Sequence, residues 1–505
     1  MSSRHSPELS GARATSPANT SAAGEVGRAP LVVSNFINGE FVAPASGAYI
    51  DDIGPATGEV IARIPDSDAR DIDAAVRAAH SAFPAWSRTP VAERSRLLLR
   101  LADLIENNLE ELARLESRDN GKTVTLARRL DIPRAVANFR FFATAILHYA
   151  SEAHPTDGVA LNYTLRQPLG VAGLISPWNL PLYLLSWKIA PAIATGNTCV
   201  AKPSELTPLT ANRLAQLARD AGLPPGVINI VHGLGAKAGD ALTSHPKVPL
   251  ISFTGGTVTG AKVAMAAAPH FKRVSLELGG KNPNVIFADA DLPEAVKTSI
   301  QSSFANQGEI CLCGSRIFVE RSIHDHFVDE FVAATKQLRI GDPWDEATDV
   351  GALISAAHLE KVSGYVELAK QEGGTIVAGG RRIDGAGFFF EPTVVTGLGC
   401  DRRVLQEEIF GPVVTITPFD GEDEAIAFAN STRYGLSATL WTRDLQRAHR
   451  VAAALDAGTV WINCWLVRDL RVPFGGMKES GVGREGGFES LSFFTEAKNV
   501  CVKLA

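Results

Sequence analysis

Cys311 closes the run Asn306-Gln307-Gly308-Glu309-Ile310-Cys311, and Glu277 opens the run Glu277-Leu278-Gly279-Gly280-Lys281. A thiol adds to a carbonyl carbon and forms a covalent adduct. A carboxylate just before a Gly-Gly turn can be brought to the same point, where it takes a proton from the water that releases that adduct. The two groups together meet the needs of aldehyde oxidation. On residue type alone, plainer readings stand beside this one. An isolated intracellular cysteine is commonly a small buried apolar side chain. Cys313 is an alternative nucleophile, and a glutamate at a strand end is commonly an ion-pair partner.

The elements that must hold these groups alternate. Short apolar runs at 171–175, 198–201, 227–231, 250–253 and 274–276 are separated by helix-like stretches such as 206–222 and 257–267. Runs apolar on both faces, set between helices, predict an α/β fold with a parallel sheet and βαβ crossovers. Ligands of such sheets bind beyond the C-terminal strand ends, where Trp178, Asn179, Lys202, Glu205 and Gly255 fall. A second alternation starts at Val285 and runs through 317–319, 375–377 and 413–418. It carries Cys311 near its start, where a helix is expected to begin. Glu277 falls near the boundary of the two sheets, so a cleft between domains is the expected seat of chemistry. Ahead of both, Ile72, Val76, Ala79 and Phe83, then Leu97, Leu101, Leu104 and Ile105, mark two amphipathic helices separated by Pro84 and Pro90. Residues 162–167 and 493–503 alternate weakly, as strands do.

Composition narrows the class. A chain of 505 residues calls for two or three domains. A net charge of -6 and a pI near 6.0 argue against a nucleic-acid or anionic-membrane partner. Six scattered cysteines fit a reducing compartment better than a disulfide scaffold. Cys311 and Cys313 lack a second pair, and His324-Asp325-His326 reads as a solvated helix start, so no metal site is predicted. No apolar run reaches the roughly 18 residues of a membrane span. Residues 1–34, rich in Ser, Ala, Gly and Pro, predict a disordered tail. Arg4, Arg13 and Arg28 hint at a transit peptide, Glu8 and Glu25 oppose it, and a cytoplasmic location is expected.

Further motifs follow in a recognisable order: Ser176-Pro177-Trp178-Asn179, Gly196-Asn197-Thr198, Lys202-Pro203-Ser204-Glu205, Phe253-Thr254-Gly255, Glu408-Ile409-Phe410-Gly411-Pro412 and Pro473-Phe474-Gly475-Gly476. From about Asn35 to the C-terminus the chain resembles the aldehyde dehydrogenase superfamily. The resemblance implies an NAD-binding domain (35–149 and 169–277), a catalytic domain (278–480) and an oligomerisation β-element (150–168 and 481–505) that builds homodimers or homotetramers. It selects Cys311 as nucleophile and Glu277 as base for the hydrolytic water, with water rather than coenzyme A as acyl acceptor. Asn179 is then the side-chain donor to the oxyanion of the adduct, joined by the Cys311 backbone N–H. Removing one such donor typically costs a factor of about 10² to 10³ in rate. Cys313 packs behind Cys311 or forms a reversible oxidised pair with it, and Lys188 tunes the thiol's ionisation.

The usual Gly-x-Gly-x-x-Gly fingerprint is absent. The run from Gly233 to Gly239 has one residue too many, which leaves Gly235 and Gly239 as candidate phosphate contacts at a helix entry. The resemblance implies a variant NAD site instead, lined by Ser176, Pro177, Trp178, Ser204 and Leu278. In it Lys202 and Glu205 meet the adenosine ribose, and Phe253, Thr254, Gly255 and Gly256 lie at the pyrophosphate. Glu408 and Phe410 meet the nicotinamide ribose. A Glu205 carboxylate accepts from a free 2′-hydroxyl and repels a 2′-phosphate, which favours NAD over NADP. The family usually has serine where this chain has Gly256, so one hydroxyl donor is missing while backbone donors remain. Without the family, Lys202 and Glu205 read as a surface ion pair, and Glu408 to Phe410 as a turn.

Stretches 306–316 and 463–476 resemble, within the superfamily, the dehydrogenases of 2-aminomuconic and 2-hydroxymuconic semialdehydes. That likeness implies that Arg134 and Arg468 bind a substrate carboxylate, as guanidinium groups do bidentately. Trp465 and Leu182 are expected to wall the conjugated chain. The plainer alternative pairs Arg134 with Asp131 and Arg468 with Asp469. Competing functions are a broader dehydrogenase for neutral or cationic aldehydes such as betaine aldehyde, and a non-catalytic scaffold. The second fits poorly with retention of both Cys311 and Glu277.

Overall fold

The computed structural model describes residues 29–504. In the first large sheet, strands Val171–Ile175, Thr198–Lys202, Ile228–Ile230, Leu250–Thr254 and Arg273–Glu277 run parallel. Val171–Ile175 is central. Thr198–Lys202 and Ile228–Ile230 lie to one side of it, Leu250–Thr254 and Arg273–Glu277 to the other. The chain winds outward one way, crosses back past its first strand, and winds the other way. The reversal falls between Val171–Ile175 and Leu250–Thr254, which is where an open α/β sheet receives a ligand.

Alternation builds this sheet's two cores. Val171, Ile175, Val200 and Ile251 pack with Ile72 and Val76, which belong to helix Ala69–Trp86. Ala172, Leu174 and Ala201 point the other way and pack with Leu185 and Ile189, of helix Pro181–Ala194. Covered on both faces, Val171–Ile175 and Thr198–Lys202 are buried at every position. Helix Ala69–Trp86 starts on a capping box of Asp68 and Asp71 and continues through Pro84, so only Pro90 bounds the next helix, Val91–Asn107.

The second sheet runs in the order Thr375–Ala378, Thr393–Thr396, Val413–Phe419, Arg316–Glu320, Pro283–Ile286, Ser437–Trp441, Thr459–Ile462, and only its first pair is antiparallel. Glu277 therefore ends the last parallel strand of one sheet, six residues before Pro283 opens the other. A third, antiparallel sheet joins Ala153–Thr156, Ala160–Pro168 and Thr495–Lys503.

Two boundaries differ from expectation. Gly481–Val482 joins the edge of the first sheet beside Arg273–Glu277, not the third sheet. A side chain at Gly481 would stand 2.2 Å from the Leu276 carbonyl oxygen, so glycine allows this approach. Most of the expected tail lies outside the described residues, but Leu31–Val32, inside its span, pairs with Val60–Pro65, and Val33 is buried. Among the described residues no helix is long and apolar enough to cross a membrane.

Candidate active site

Cys311 lies on a loop, not at the start of a helix. Helix Leu292–Phe304 ends before it, and Asn306, Gln307 and Gly308 then take φ of 52°, 56° and 73°. Three successive left-handed residues cannot continue a right-handed helix. A Cβ at Gly308 would sit 2.3 Å from the Gly411 carbonyl oxygen, so only glycine fits there. The loop is held from several sides. Buried Glu309 accepts from the Ile354 N–H at 3.1 Å, and Gln307 donates to the Ala352 carbonyl at 3.0 Å. Asn282 donates to the carbonyls of both Cys311 and Cys313, at 2.7 and 2.9 Å.

Cys311 and Glu277 line one mainly apolar cavity, together with Thr254, Leu278, Arg468 and Glu485. Glu277 Oε1 has no hydrogen-bond partner among the described residues. A Cβ at Gly475 would stand 2.8 Å from both Oε1 and the Gly483 carbonyl oxygen, so glycine leaves room for the carboxyl there. Burial, and next the charge of Glu485, hold the Glu277 carboxyl well above the usual carboxylate range. Burial, then Glu277 and Glu408, push the Cys311 thiol up. Lys188 is hydrogen-bonded away from that thiol: its ammonium donates to Glu485 at 3.1 Å and to Ser252 Oγ at 2.9 Å. Cys313 is buried behind the site among Ile310, Leu312, Leu436 and Trp461.

Asn179 donates from Nδ2 to the Glu309 carbonyl at 2.9 Å, two residues before Cys311. This orients the amide and leaves its second N–H for another acceptor. The cavity walls differ from expectation. Along helix Pro181–Ala194 and the residue before it, Leu180, Tyr183, Leu184 and Trp187 face the cavity, at the spacing of one helical face. Leu182 lies off that face, fully buried in the core. Trp465 is also displaced: its indole N–H donates to the Leu312 carbonyl at 2.9 Å, and Leu466 and Phe474 line the cavity in its place.

Neither arginine takes the partner that the plainer reading offered. Asp131 bonds Lys122, and Asp469 bonds Arg471. Arg134 lies over the Tyr183 ring at 5.5 Å and Arg468 over the Phe474 ring at 3.7 Å; Arg468 lines the cavity itself, whereas Arg134 stands behind Tyr183 and does not line it.

The expected cofactor residues gather at the strand ends. Ser176, Pro177 and Trp178 follow the central strand, and Gly255 and Gly256 follow its neighbour Leu250–Thr254. Phe253 is the exception: it packs in the core, and a Cβ at Gly255 would meet its ring at 2.5 Å. Lys202 Nζ is 2.8 Å from Glu205. Burial raises the Glu205 carboxyl, but the charge and hydrogen bond of Lys202, with a backbone donor from Gly235, outweigh it and keep the group below its ordinary value. Gly239 is buried in the turn Gly235–Gly239, and Ser204 Oγ accepts from the Leu206 N–H at 3.2 Å. Glu408 accepts from the Gly280 N–H at 2.9 Å. Phe410, at φ 63°, sets its ring edge-on to Trp178 at 5.3 Å. His358, which sequence reasoning missed, donates to the Phe410 carbonyl at 2.6 Å and packs on Trp178. Tyr183 and Trp187 were also missed, although their spacing from Leu180 was readable.

A family model described as the aldehyde dehydrogenase family matches residues 41–500. The chain is 57% identical over 482 residues to the 2-aminomuconic semialdehyde dehydrogenase of Danio rerio, covering 94% of this chain and 98% of that one. It is 49% identical over 483 residues to the 2-hydroxymuconic semialdehyde dehydrogenase of Pseudomonas sp. (strain CF600), covering 94% and 99%. An aldehyde dehydrogenase from Bacillus cereus, solved in complex with NAD+, superposes with a TM-score of 0.92 at 44% identity, covering 94% and 97%.

Proposed function

The chain belongs to the aldehyde dehydrogenase family, and from that premise we propose that it oxidises 2-aminomuconate 6-semialdehyde to 2-aminomuconate with NAD. The observation that carries the substrate is the pair Arg134 and Arg468. Arg468 lines the cavity and stacks on Phe474, Arg134 stacks on the cavity residue Tyr183, and among the described residues neither has a carboxylate in ion-pair range. A planar acid with a distal aldehyde would lay its chain along the apolar walls and its carboxylate against these cations.

The residues at the strand ends suit NAD. Cβ atoms added at Gly235 and Gly256 meet nothing within 4 Å, so backbone is open to a ligand at both. Among the described residues Ser176 Oγ and Thr257 Oγ1 are buried without hydrogen-bond partners, and Thr257 opens the helix after Gly256. Lys202 and Glu205 would hold the adenosine ribose, the backbone of Gly255 and Gly256 the pyrophosphate, and Glu408 and Phe410 the nicotinamide ribose. When bound, NAD accepts the hydride that leaves the substrate carbon.

The chain's own residues do the rest. Cys311 Sγ gives its proton to solvent and bonds to the aldehyde carbon, whose C=O π pair moves onto the oxygen and makes it an oxyanion. The free amide N–H of Asn179 donates to that oxygen. Loss of hydride from the same carbon leaves a thioester on Cys311. Glu277 takes a proton from water as the water attacks the thioester, and the acid departs as the thiol re-forms. Thr254 and Leu278 help to close the cavity around these steps.

The six cysteines are all unpaired, which supports a reducing, cytoplasmic setting. Exposed Leu161, Leu165, Val502 and Leu504 on and beside the third sheet support assembly into a homodimer or homotetramer. Rapid quenching with substrate, followed by peptide mass spectrometry, tests the chemistry. The acyl group is expected on Cys311. An acyl group on Cys313, or none, defeats the reading.

A further inference from the structure

Lys122 carries an ammonium whose side chain is fully buried, where an uncompensated charge is costly. It donates to Asp131 Oδ1 at 3.0 Å and to the backbone carbonyl of Asn179 at 2.9 Å. Glu116 stands 3.9 Å away and accepts from the Leu182 N–H at 3.3 Å. Burial raises both carboxyls, that of Glu116 to about 8, and Asp131, at 3.0 Å against 3.9 Å, is the nearer counter-ion. The site for the cation is rigid. Helix Leu109–Asn120 ends on left-handed Gly121, and Asn120 donates to the Trp178 carbonyl at 2.8 Å. One turn therefore grips two successive carbonyls, those of Trp178 and Asn179. From the opposite side Asn306 donates to the same Asn179 carbonyl at 3.0 Å.

We infer that Lys122 is a positioning residue: by fixing the Asn179 carbonyl it sets the line along which the Asn179 amide meets the oxyanion. The inference rests on the reading of Asn179 as the oxyanion donor. A cationic donor holds a carbonyl more tightly than a neutral one. Preorganised donors lose their advantage when they drift, and a shift of about 1 Å can cost about 10²-fold in rate.

Lys122→Met keeps the aliphatic stem and removes the charge, but leaves Asp131 buried and unpaired. The paired variant K122M/D131N removes both charges, and thermal unfolding verifies that it folds. Rapid-quench mass spectrometry then follows the acyl group on Cys311. The expected result is acylation slower by about 10- to 100-fold, with thioester hydrolysis, which passes through an oxyanion on the same oxygen, slowed as well. Added to Asn179→Ala, the same two changes should slow acylation no further. An unchanged acylation rate in the folded paired variant, or a loss that multiplies with that of Asn179→Ala, overturns the inference. Asn179→Ala by itself separates the two levels. If it acylates at the unmodified rate, the oxyanion reading falls and takes this inference with it; if it alone is slow, only the role of Lys122 is lost.

Discussion

The guanidinium of Arg468 lies 3.7 Å from the centre of the Phe474 ring, while Asp469, its neighbour in sequence, bonds Arg471. The charge over the cavity is thus stacked on an aromatic wall and is not neutralised by that aspartate. Arg468→Ala should lower kcat/KM for a carboxylated semialdehyde by about 10- to 150-fold, the worth of one charge-assisted hydrogen bond of about 1.5 to 3 kcal/mol. A neutral aldehyde should lose far less. Equal losses for the two substrates would remove the carboxylate clamp from the account.

The same arginine should also shape the pH profile. Burial comes first in raising both Glu277 and Cys311, and Arg468 is among the charges that oppose the rise in each. Both groups act after losing a proton, so activity should fall as pH drops through their range. Without Arg468 both deprotonated forms become harder to reach, and the acid limb should move to higher pH. The measurement is kcat/KM for a neutral aldehyde against pH, in the native enzyme and in Arg468→Met. A limb that stays in place means that the arginine's field does not reach these groups.

Burial on both faces made the central strands legible, because an apolar run such as 171–175 needs no knowledge of its neighbours. The place of Glu277 at a strand end followed from the same pattern. Other features depend on contacts distant in sequence. Lys188 finds Glu485 rather than the thiol because helix Pro181–Ala194 packs near a loop almost three hundred residues on. The helix expected at Cys311 fails because Gly308 must clear the Gly411 carbonyl, a clash that no local propensity records. Leu182 and Tyr183 are neighbours in sequence, and only the direction of the helix decides which one faces the cavity.

Glu277→Gln tests the hydrolytic step. Glutamine keeps the volume that rests against Gly475 but cannot take a proton. A first turnover of NADH should persist while the steady rate falls by about 10²- to 10⁴-fold, the usual worth of a general base. An acyl-Cys311 species should then accumulate and be visible by mass spectrometry. A steady rate equal to that of the native enzyme would assign the base elsewhere.

Gly256 offers the opposite kind of test, a gain. Its φ of -71° and ψ of 149° suit any residue, and a Cβ there meets nothing within 4 Å. It is also the N-cap of helix Thr257–Ala267, which has no side-chain cap of its own. Serine at this position should therefore enter without strain. As a cap it should add only a few tenths of a kcal/mol over glycine, a small rise in Tm. Its larger effect should fall on the cofactor, since a hydroxyl beside a helix N-terminus donates to phosphate in addition to the backbone N–H groups. Titration of Gly256→Ser with NAD should give a Kd lower by about 3- to 10-fold, consistent with a net hydrogen bond of about 1 kcal/mol. An unaltered Kd alongside the small rise in Tm would mean that residue 256 caps the helix but does not face the pyrophosphate.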